Sequence, residues 1–243
     1  MKISIITPSF NQGKYIEQTI LSVLNQSYKN FEHIICDGGS TDGTVDVLKK
    51  YKHLIWVSEE DEGQSDALSK ALSMSSGDII GWINSDDYYY SDDIFEYVVS
   101  KFTSETSWII GGTSKLINDK IILNPYKIID KKSVRTNCDY LRSPASFYKN
   151  EMLRDVNGFN KNLHQVMDYE LYLRLFGKSY NPVNFKKTFT VFRVHSEQKT
   201  DPKNLLQQYK EVAKVNLKYR LFFSLFKKSL KFPIQYILMK FKN

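Results

Sequence analysis

Ile79-Ile80-Gly81-Trp82-Ile83-Asn84-Ser85-Asp86-Asp87 begins as an apolar run and ends in two adjacent carboxylates. Gly77-Asp78 precedes it. A short apolar run bounded in this way reads as a strand buried on both faces. Open α/β sheets bind ligands outside the carboxyl ends of their strands, so acids at that end are placed for chemistry. Two neighbouring carboxylates raise each other's pKa unless something positive lies against them. A divalent cation, Mg²⁺ or Mn²⁺, held by one or two carboxylates and by substrate phosphates, is one solution. A solvated Asp pair capping a turn is the other. This stretch alone leaves both open.

Upstream of it the chain alternates strands and helices. Lys2–Thr7 reads as a strand, followed by the turn-rich Pro8-Ser9-Phe10-Asn11-Gln12-Gly13. Ile16, Ile20, Val23 and Leu24 recur at helical spacing. Phe31–Cys36 is a second strand, ending at Asp37. The loop Gly38-Gly39-Ser40-Thr41-Asp42-Gly43-Thr44 then opens a helix through Tyr51. Leu54–Val57 is a third strand and Asp61-Glu62-Gly63-Gln64 a turn. The helix after it places Ala67, Leu68, Ala71 and Leu72 on one face. Repeated alternation of this kind predicts a parallel sheet with helices on both faces. Pro8-Ser9, Asp37-Gly38-Gly39 and Asp86-Asp87 would then converge on one sheet edge. Neither a G-x-G-x-x-G fingerprint nor a Walker A loop is present, so the site is not an ordinary dinucleotide or P-loop site.

After residue 103 the pattern loosens. Ser107–Thr113 and Lys115–Leu123 read as a strand pair turning at Asn118-Asp119. Residues 124–142 read as irregular. Ser146-Phe147-Tyr148 is a strand, Glu151–Val156 a short helix stopped by Asn157-Gly158. Met167–Phe176 is a helix with Asp168 near its start, and Thr188–His195 a last strand.

The 243 residues suit one large or two small domains and are ample for a core. Two cysteines, Cys36 and Cys138, lack metal-ligand spacing and fit a reducing compartment. Met1-Lys2 leads directly into a strand and no apolar run is long enough to span a bilayer, so a cytoplasmic location is expected. The net charge is +7, yet Lys210–Asn243 carries eight Lys and one Arg against one Glu, leaving residues 1–209 near −1. The basic balance belongs to the tail and does not argue for nucleic-acid binding.

Together these motifs resemble family 2 glycosyltransferases of the GT-A fold. Ile5-Ile6-Thr7-Pro8-Ser9-Phe10-Asn11 and Ile20–Tyr28 resemble the family's opening. Asp37–Thr44, Ser58–Gly63, Asp66-Ala67-Leu68 and Asn84-Ser85-Asp86-Asp87 follow in the family's order. So do Ala145-Ser146-Phe147-Tyr148, Val156-Asn157-Gly158-Phe159 and Met167-Asp168-Tyr169-Glu170-Leu171. The resemblance covers roughly residues 1–200. It implies a Rossmann-like, mostly parallel sheet flanked by helices, with a nucleotide-binding half over 1–103, a smaller acceptor-side half over 104–200 and a helical tail over 201–243.

It also implies an inverting enzyme using a nucleotide-sugar donor, UDP most often, and a saccharide or lipid-linked acceptor in surface polysaccharide synthesis. Asp37 then corresponds to the acid that recognises the base, and Thr7, Pro8 and Ser9 to the nucleoside loop. Asp61, Gly63 and Ser85 fall among the donor contacts. Asp87 is implied as a ligand of Mn²⁺ or Mg²⁺, with Asp86 touching ribose or metal. Asp168 matches the general base, and His195 stands where relatives place a group touching diphosphate or metal. Lys70 is a candidate to neutralise the diphosphate. The motif Ser85-Asp86-Asp87 departs from a strict D-x-D, and Ser69-Lys70 stands where Asn-Lys is frequent.

Each residue also has a plainer reading by itself. Asp168 suits a helix N-terminus through the macrodipole. Asp37 caps its loop, His195 is a strand histidine satisfied by a neighbour, and Lys70 is a solvated helix lysine. Arg193 pairs with an acid or with phosphate. Inverting transfer does need one carboxylate as base and a countercharge for the leaving diphosphate. A sugar nucleotidyltransferase would want a glycine-rich basic loop where Pro8-Ser9-Phe10-Asn11 stands, and a non-catalytic scaffold has no need of Asp86, Asp87 and Asp168 together. Residues 205–243 mix lysines with large apolar groups and are broken by Pro233. They resemble an amphipathic element on the anionic inner face of the cell membrane. The alternative is a helical pair packed on the catalytic domain or on a second subunit of a homo-oligomer.

Overall fold

The structure is a computed structural model and describes residues 1–136, 141, 143–196, 198, 204–222 and 224. Cys138, Pro233 and the expected apolar stretch 234–241 lie outside the described residues. The first half contains β1 (Ile3–Ser9), α1 (Ile16–Leu24), β2 (Phe31–Asp37), α2 (Thr44–Lys49), β3 (Leu54–Ser58), α3 (Gln64–Met74) and β4 (Ile79–Trp82). Next come β5 (Tyr88–Tyr89), α4 (Ile94–Lys101), β6 (Trp108–Ile117), β7 (Lys120–Leu123) and α5 (Lys131–Thr136). The last elements are β8 (Ser146–Lys149), α6 (Asn150–Asp155), α7 (Met167–Gly177), β9 (Val183–Arg193) and α8 (Leu205–Lys218).

All strands join one sheet in the order β3-β2-β1-β4-β8-β6-β9-β5, with β7 added on β6. From β3 to β4 every pairing is parallel, as helical crossovers require. β1 is central, buried at every residue, with Ile5 beside both His33 and Gly81. β8 joins β4 antiparallel, and β6 and β9 pair in parallel beyond it. The alternation of side chains gives each sheet face its own core. Ile6, Ile80, Trp82, Trp108 and Tyr148 pack toward α3 and α7. Ile3, Ile5, Ile79, Ile109 and Phe147 pack with Phe95 and Phe189. Apolar runs rather than alternation follow from burial on both faces.

Turn chemistry explains the breaks. Asn118 and Asp119 both have positive φ, 48° and 59°, which suits a two-residue hairpin between β6 and β7. Asn157 and Gly158 end α6 in the left-handed region. Several features differ from expectation. β6 runs unbroken from Trp108 through Lys115 to Ile117 and β7 is only Lys120–Leu123, where the sequence divided the pair at Ser114. β9 begins at Val183 and stops at Arg193, so His195 lies beyond it. A helix, α5, occupies part of the stretch read as irregular. The two-residue β5 is too short to produce a periodic signal.

The start of the tail is packed. Val212, Val215 and Leu221 enter the core under α7. Tyr169 donates to Asn216 at 2.7 Å. Glu170, almost fully buried, accepts from Arg174 Nε at 2.8 Å, Lys218 Nζ at 3.1 Å and Tyr219 Oη at 2.7 Å. Burial would push its carboxyl pKa up. Arg174, Tyr219 and Lys218 outweigh that and hold it below the ordinary value. No helix among the described residues is long and apolar enough to cross a membrane.

Two measurements test this packing. A Cβ at Gly111 would meet Phe189 Cγ at 2.2 Å, inside the β6–β9 bulge. Gly111→Ala should lose about 1–3 kcal/mol of unfolding free energy in urea. Gly177→Ala, whose Cβ meets nothing within 4 Å, should hold or gain stability. Glu170→Gln should cost about 2 kcal/mol near neutral pH, a modest figure because Arg174 and Lys218 are partly solvated. A lowered folded pKa contributes stability above the unfolded value, 4.5, and loses it as pH falls through the folded one. The difference between wild type and Glu170→Gln should therefore shrink on acidification, and a difference that grows would overturn this account.

Candidate active site

A cleft of about 940 Å³ opens at the carboxyl ends of β1, β2 and β4. Pro8, Ser9 and Gly38 form one wall, Asn84, Ser85, Asp86 and Asp87 the floor, and Asp168 stands on the wall from the second half. The expected convergence of the three strand ends is thus what the chain does. Ser9 Oγ and Gln12 Oε1 are buried beside this cleft with no hydrogen-bond partner among the described residues. Orphaned polar atoms at a cleft wall are what an absent ligand satisfies.

Asp87 is buried and held from two directions. Asn84 Nδ2 donates to it at 2.9 Å, and the backbone N–H of Arg193 at 3.1 Å. Burial, and then the neighbouring Asp86, push its pKa well above the usual carboxylate range. Asn84 is itself fixed by Trp82 Nε1 and Gln64 Nε2, each donating to its Oδ1 at 2.9 Å. Thr19 Oγ1 donates to the carbonyls of Ser85 and Asp87. Arg193 Nε donates to the Asp86 carbonyl at 3.0 Å, its NH2 group donates to Gln18, and its guanidinium lies over Tyr15 and Tyr88. Arg193 therefore braces the acidic loop through backbone and rings. His195 Nε2 lies 3.0 Å from Asp86 Oδ2, its ring 4.5 Å from that of Tyr15.

Whether these residues suit a divalent cation follows from their donors. Among the described residues no three His, Cys, Asp or Glu side chains surround a common point. A Mg²⁺ or Mn²⁺ ion does not need that, since one or two carboxylates with phosphate and water oxygens suffice. A buried Asp87 with a raised pKa beside Asp86 is a hard oxygen pair short of countercharge. The donor set fits.

Asp168 is the second residue of α7. Its Oδ2 accepts from Ser143 Oγ at 2.8 Å, and its Oδ1 from the Tyr169 N–H at 2.7 Å. Both fix the carboxylate. Asp61 and Gly63 also line the cleft, and Asp61 accepts the Gly63 N–H at 2.7 Å. Gly63 sits at φ 106°, a conformation open to glycine alone without strain, and His164 Nδ1 would lie 3.0 Å from any Cβ there.

Other expected residues lie off the wall. Thr7 Oγ1 bonds His33 Nε2 at 2.9 Å inside the sheet, where burial lowers the His33 pKa to about 3 and keeps it neutral. Asp37 accepts from the Ser40 backbone and hydroxyl and from Ser58 Oγ, and shapes the loop from beneath. The adjacent Gly38 reaches the wall instead, with Asp61 packed against it. Lys70 pairs with Glu59 at 2.9 Å and Asp66 at 3.5 Å, the arrangement of an ordinary helix lysine. Among the described residues, the lysines that line the cleft are Lys115 and Lys127, which the sequence reading missed. Thr113 and Lys115 on β6, and Thr190 and Phe192 on β9, line the cleft at alternate positions. Period-two spacing was the available signal, but it needs the strand pairing to give it a direction. The tail contributes indirectly: Glu211 of α8 accepts the backbone N–H of His164 and of Gln165, two wall residues.

Known proteins resemble the chain in sequence and in fold. Residues 4–172 match the family described as Glycosyl transferase family 2. The chain is 34% identical over 130 residues to the putative teichuronic acid biosynthesis glycosyltransferase TuaG of Bacillus subtilis (strain 168), covering 51% of each. It is 28% identical over 184 residues to a chondroitin synthase of Escherichia coli, covering 71% of this chain and 26% of that one. The chain thus spans about half, or less, of the length of these curated relatives. S. aureus TarS 1-349, in complex with UDP-GlcNAc, superposes with a TM-score of 0.70 at 18% identity, over 89% of this chain and 67% of that one. The mannosyltransferase PcManGT from Pyrobaculum calidifontis, in complex with GDP-Man and Mn²⁺, gives 0.69 at 15% identity, over 97% and 72%. At such identities the likeness is one of fold, the mixed, curled sheet of the GT-A class. With the family's sequence pattern over more than half its length and that fold around the cleft, the chain belongs to glycosyl transferase family 2.

Proposed function

We propose that the protein is an inverting glycosyltransferase that moves a sugar from a nucleoside-diphosphate donor, UDP by preference, to a hydroxyl of a saccharide or lipid-linked acceptor in surface polysaccharide synthesis. One observation carries this reading. A single cleft holds a buried carboxylate pair at the end of β4 and a separately anchored carboxylate, Asp168, on the opposing half. Displacement with inversion needs these two functions on opposite sides of the sugar. The relatives' names point to polysaccharides, and TarS was solved with a UDP-sugar.

Pro8, Ser9, Gly38 and Asp61 would hold the nucleoside, with the orphaned Ser9 hydroxyl and Gln12 carbonyl finding their partners there. Asp87, with Asp86 and with His195 behind it, would hold a divalent cation, which supplies countercharge to the diphosphate leaving group. Ser143 and the Tyr169 N–H aim Asp168. Its carboxylate takes the proton of the acceptor hydroxyl as that oxygen bonds the anomeric carbon. The bond from that carbon to the diphosphate oxygen breaks, and the diphosphate leaves with the electron pair. Gln64, Trp82 and Asn84 keep Asp87 in place throughout. Beyond α8 the basic, aromatic sequence is proposed to rest on the anionic inner face of the membrane.

Thermal unfolding with UDP, GDP, dTDP and CMP, each with and without Mn²⁺, tests donor and metal together. A metal-dependent rise is expected with UDP and should vanish in Asp87→Ala. A rise with GDP alone would reassign the donor, and no rise with any nucleotide would remove the transfer reading. Asp168→Asn should keep the UDP-dependent rise yet slow UDP release from a UDP-sugar by about 10²–10⁴-fold, with water standing in for the acceptor. A wild-type rate in that variant would take Asp168 out of the reaction.

A further inference from the structure

The hairpin joining β6 to β7 carries large aliphatic side chains into solvent. Ile121 is 48% exposed, Ile122 51%, Leu123 63% and Ile128 61%. Successive residues of a strand point to opposite faces. Exposure of Ile121, Ile122 and Leu123 together therefore means that both faces of β7 stand clear of the body. Three successive exposed aliphatic residues on one strand, with Ile128 five residues on, mark an interaction site.

We propose that this hairpin, residues 117–128, inserts into the interface of an anionic phospholipid bilayer and sets the mouth of the cleft against it. Charge selects this occupant. From Lys115 to Lys132 the sequence has five lysines and two aspartates, and Lys120, Lys131 and Lys132 are exposed. Lys186 adds a further cation 5.9 Å over the Tyr126 ring at the base. Aliphatic residues flanked by lysines, with an aromatic at the boundary, match a bilayer whose surface is negative and whose interior is apolar. Strand pairing with a second copy is disfavoured. β7 is four residues long, starts at Lys120 and runs into Asn124-Pro125, and both a lysine and a proline blunt an edge. The placement gives the contact a purpose. Asn124, Pro125 and Lys127, directly after β7, line the cleft, so a bilayer touching Leu123 lies at its opening. Binding to lipid stands independently of the transfer reading; the delivery of a lipid-carried acceptor rests on it.

The test uses the full chain with its tail intact. Sedimentation with vesicles of phosphatidylcholine, alone and mixed with phosphatidylglycerol, compares wild type with I121S/I122S/L123S. The substituted side chains are exposed, so the variant should melt as wild type does and keep its response to UDP and Mn²⁺. Its binding to the mixed vesicles should fall about tenfold or more. K120S/K131S/K132S should weaken binding to the mixed vesicles and leave binding to phosphatidylcholine alone unchanged. Leu123→Trp adds a depth probe, and its added fluorescence should be quenched by brominated lipid. Undiminished vesicle binding in I121S/I122S/L123S overturns the proposal. So does blue-shifted, lipid-independent emission from Leu123→Trp, which would mean that the tip is covered by the protein's own chain. A shift from dimer to monomer in I121S/I122S/L123S on size exclusion would assign the patch to a second copy instead. Loss of the nucleotide response in wild type, with vesicle binding intact, would remove the transfer reading and leave this one standing.

Discussion

The site depends on one expensive placement, a carboxylate buried beside another. Asp87 lies at the end of an apolar strand, out of solvent, with Asp86 next to it. Burial and like charge both oppose its ionisation, so its surroundings must hold it by geometry. They do so from two directions: Asn84 in its own loop, itself held by Gln64 at the start of α3, and the Arg193 backbone at the end of β9. The end of β9 is therefore tied to the end of β4. The second half of the chain is thereby held over the first, and the cleft is the space between them.

That closure explains why strands of such different character share one sheet. The parallel half presents its loops at one edge by the logic of crossovers. β8 enters between β4 and β6 antiparallel and turns the sheet toward β9. At the other end of the second half, Glu170 gathers Arg174, Lys218 and Tyr219 into one buried cluster and docks α8 on α7. Glu211 on the same helix then holds the His164–Gln165 turn at the wall. A helix that contributes no side chain to the cleft thus positions part of it.

Much of this was legible in the residues. The strand before Asp86-Asp87, the helix faces and the turns at Asn118-Asp119 and Asn157-Gly158 rest on local periodicity and turn chemistry, which act within a few residues. Pro8, Ser9 and Asp61 could be placed near the cleft because their loops follow strands whose direction was known. Lys70 and Thr7 could not be placed, because a helix or strand residue faces whichever way the packing turns it. Lys70 went to Glu59 and Asp66, and Thr7 to His33. Lys115 and Lys127 were missed because the direction of β6 and its loop depends on pairing with β9, some seventy residues away.

By itself, then, the sequence determined the alternation of elements, the burial of β4 on both faces and the presence of acids at its end. Those properties follow from hydrophobic period, capping and chain direction. Only the tertiary structure decided which acids share a cleft, that Arg193 braces the acidic loop through its backbone and two rings, and that the start of the tail packs on α7. It also decided that the aliphatic residues of β7 stand in solvent when a strand pair of that composition would ordinarily bury one face. These outcomes turn on contacts between residues scores of positions apart, and no local rule of period or propensity carries information over that distance.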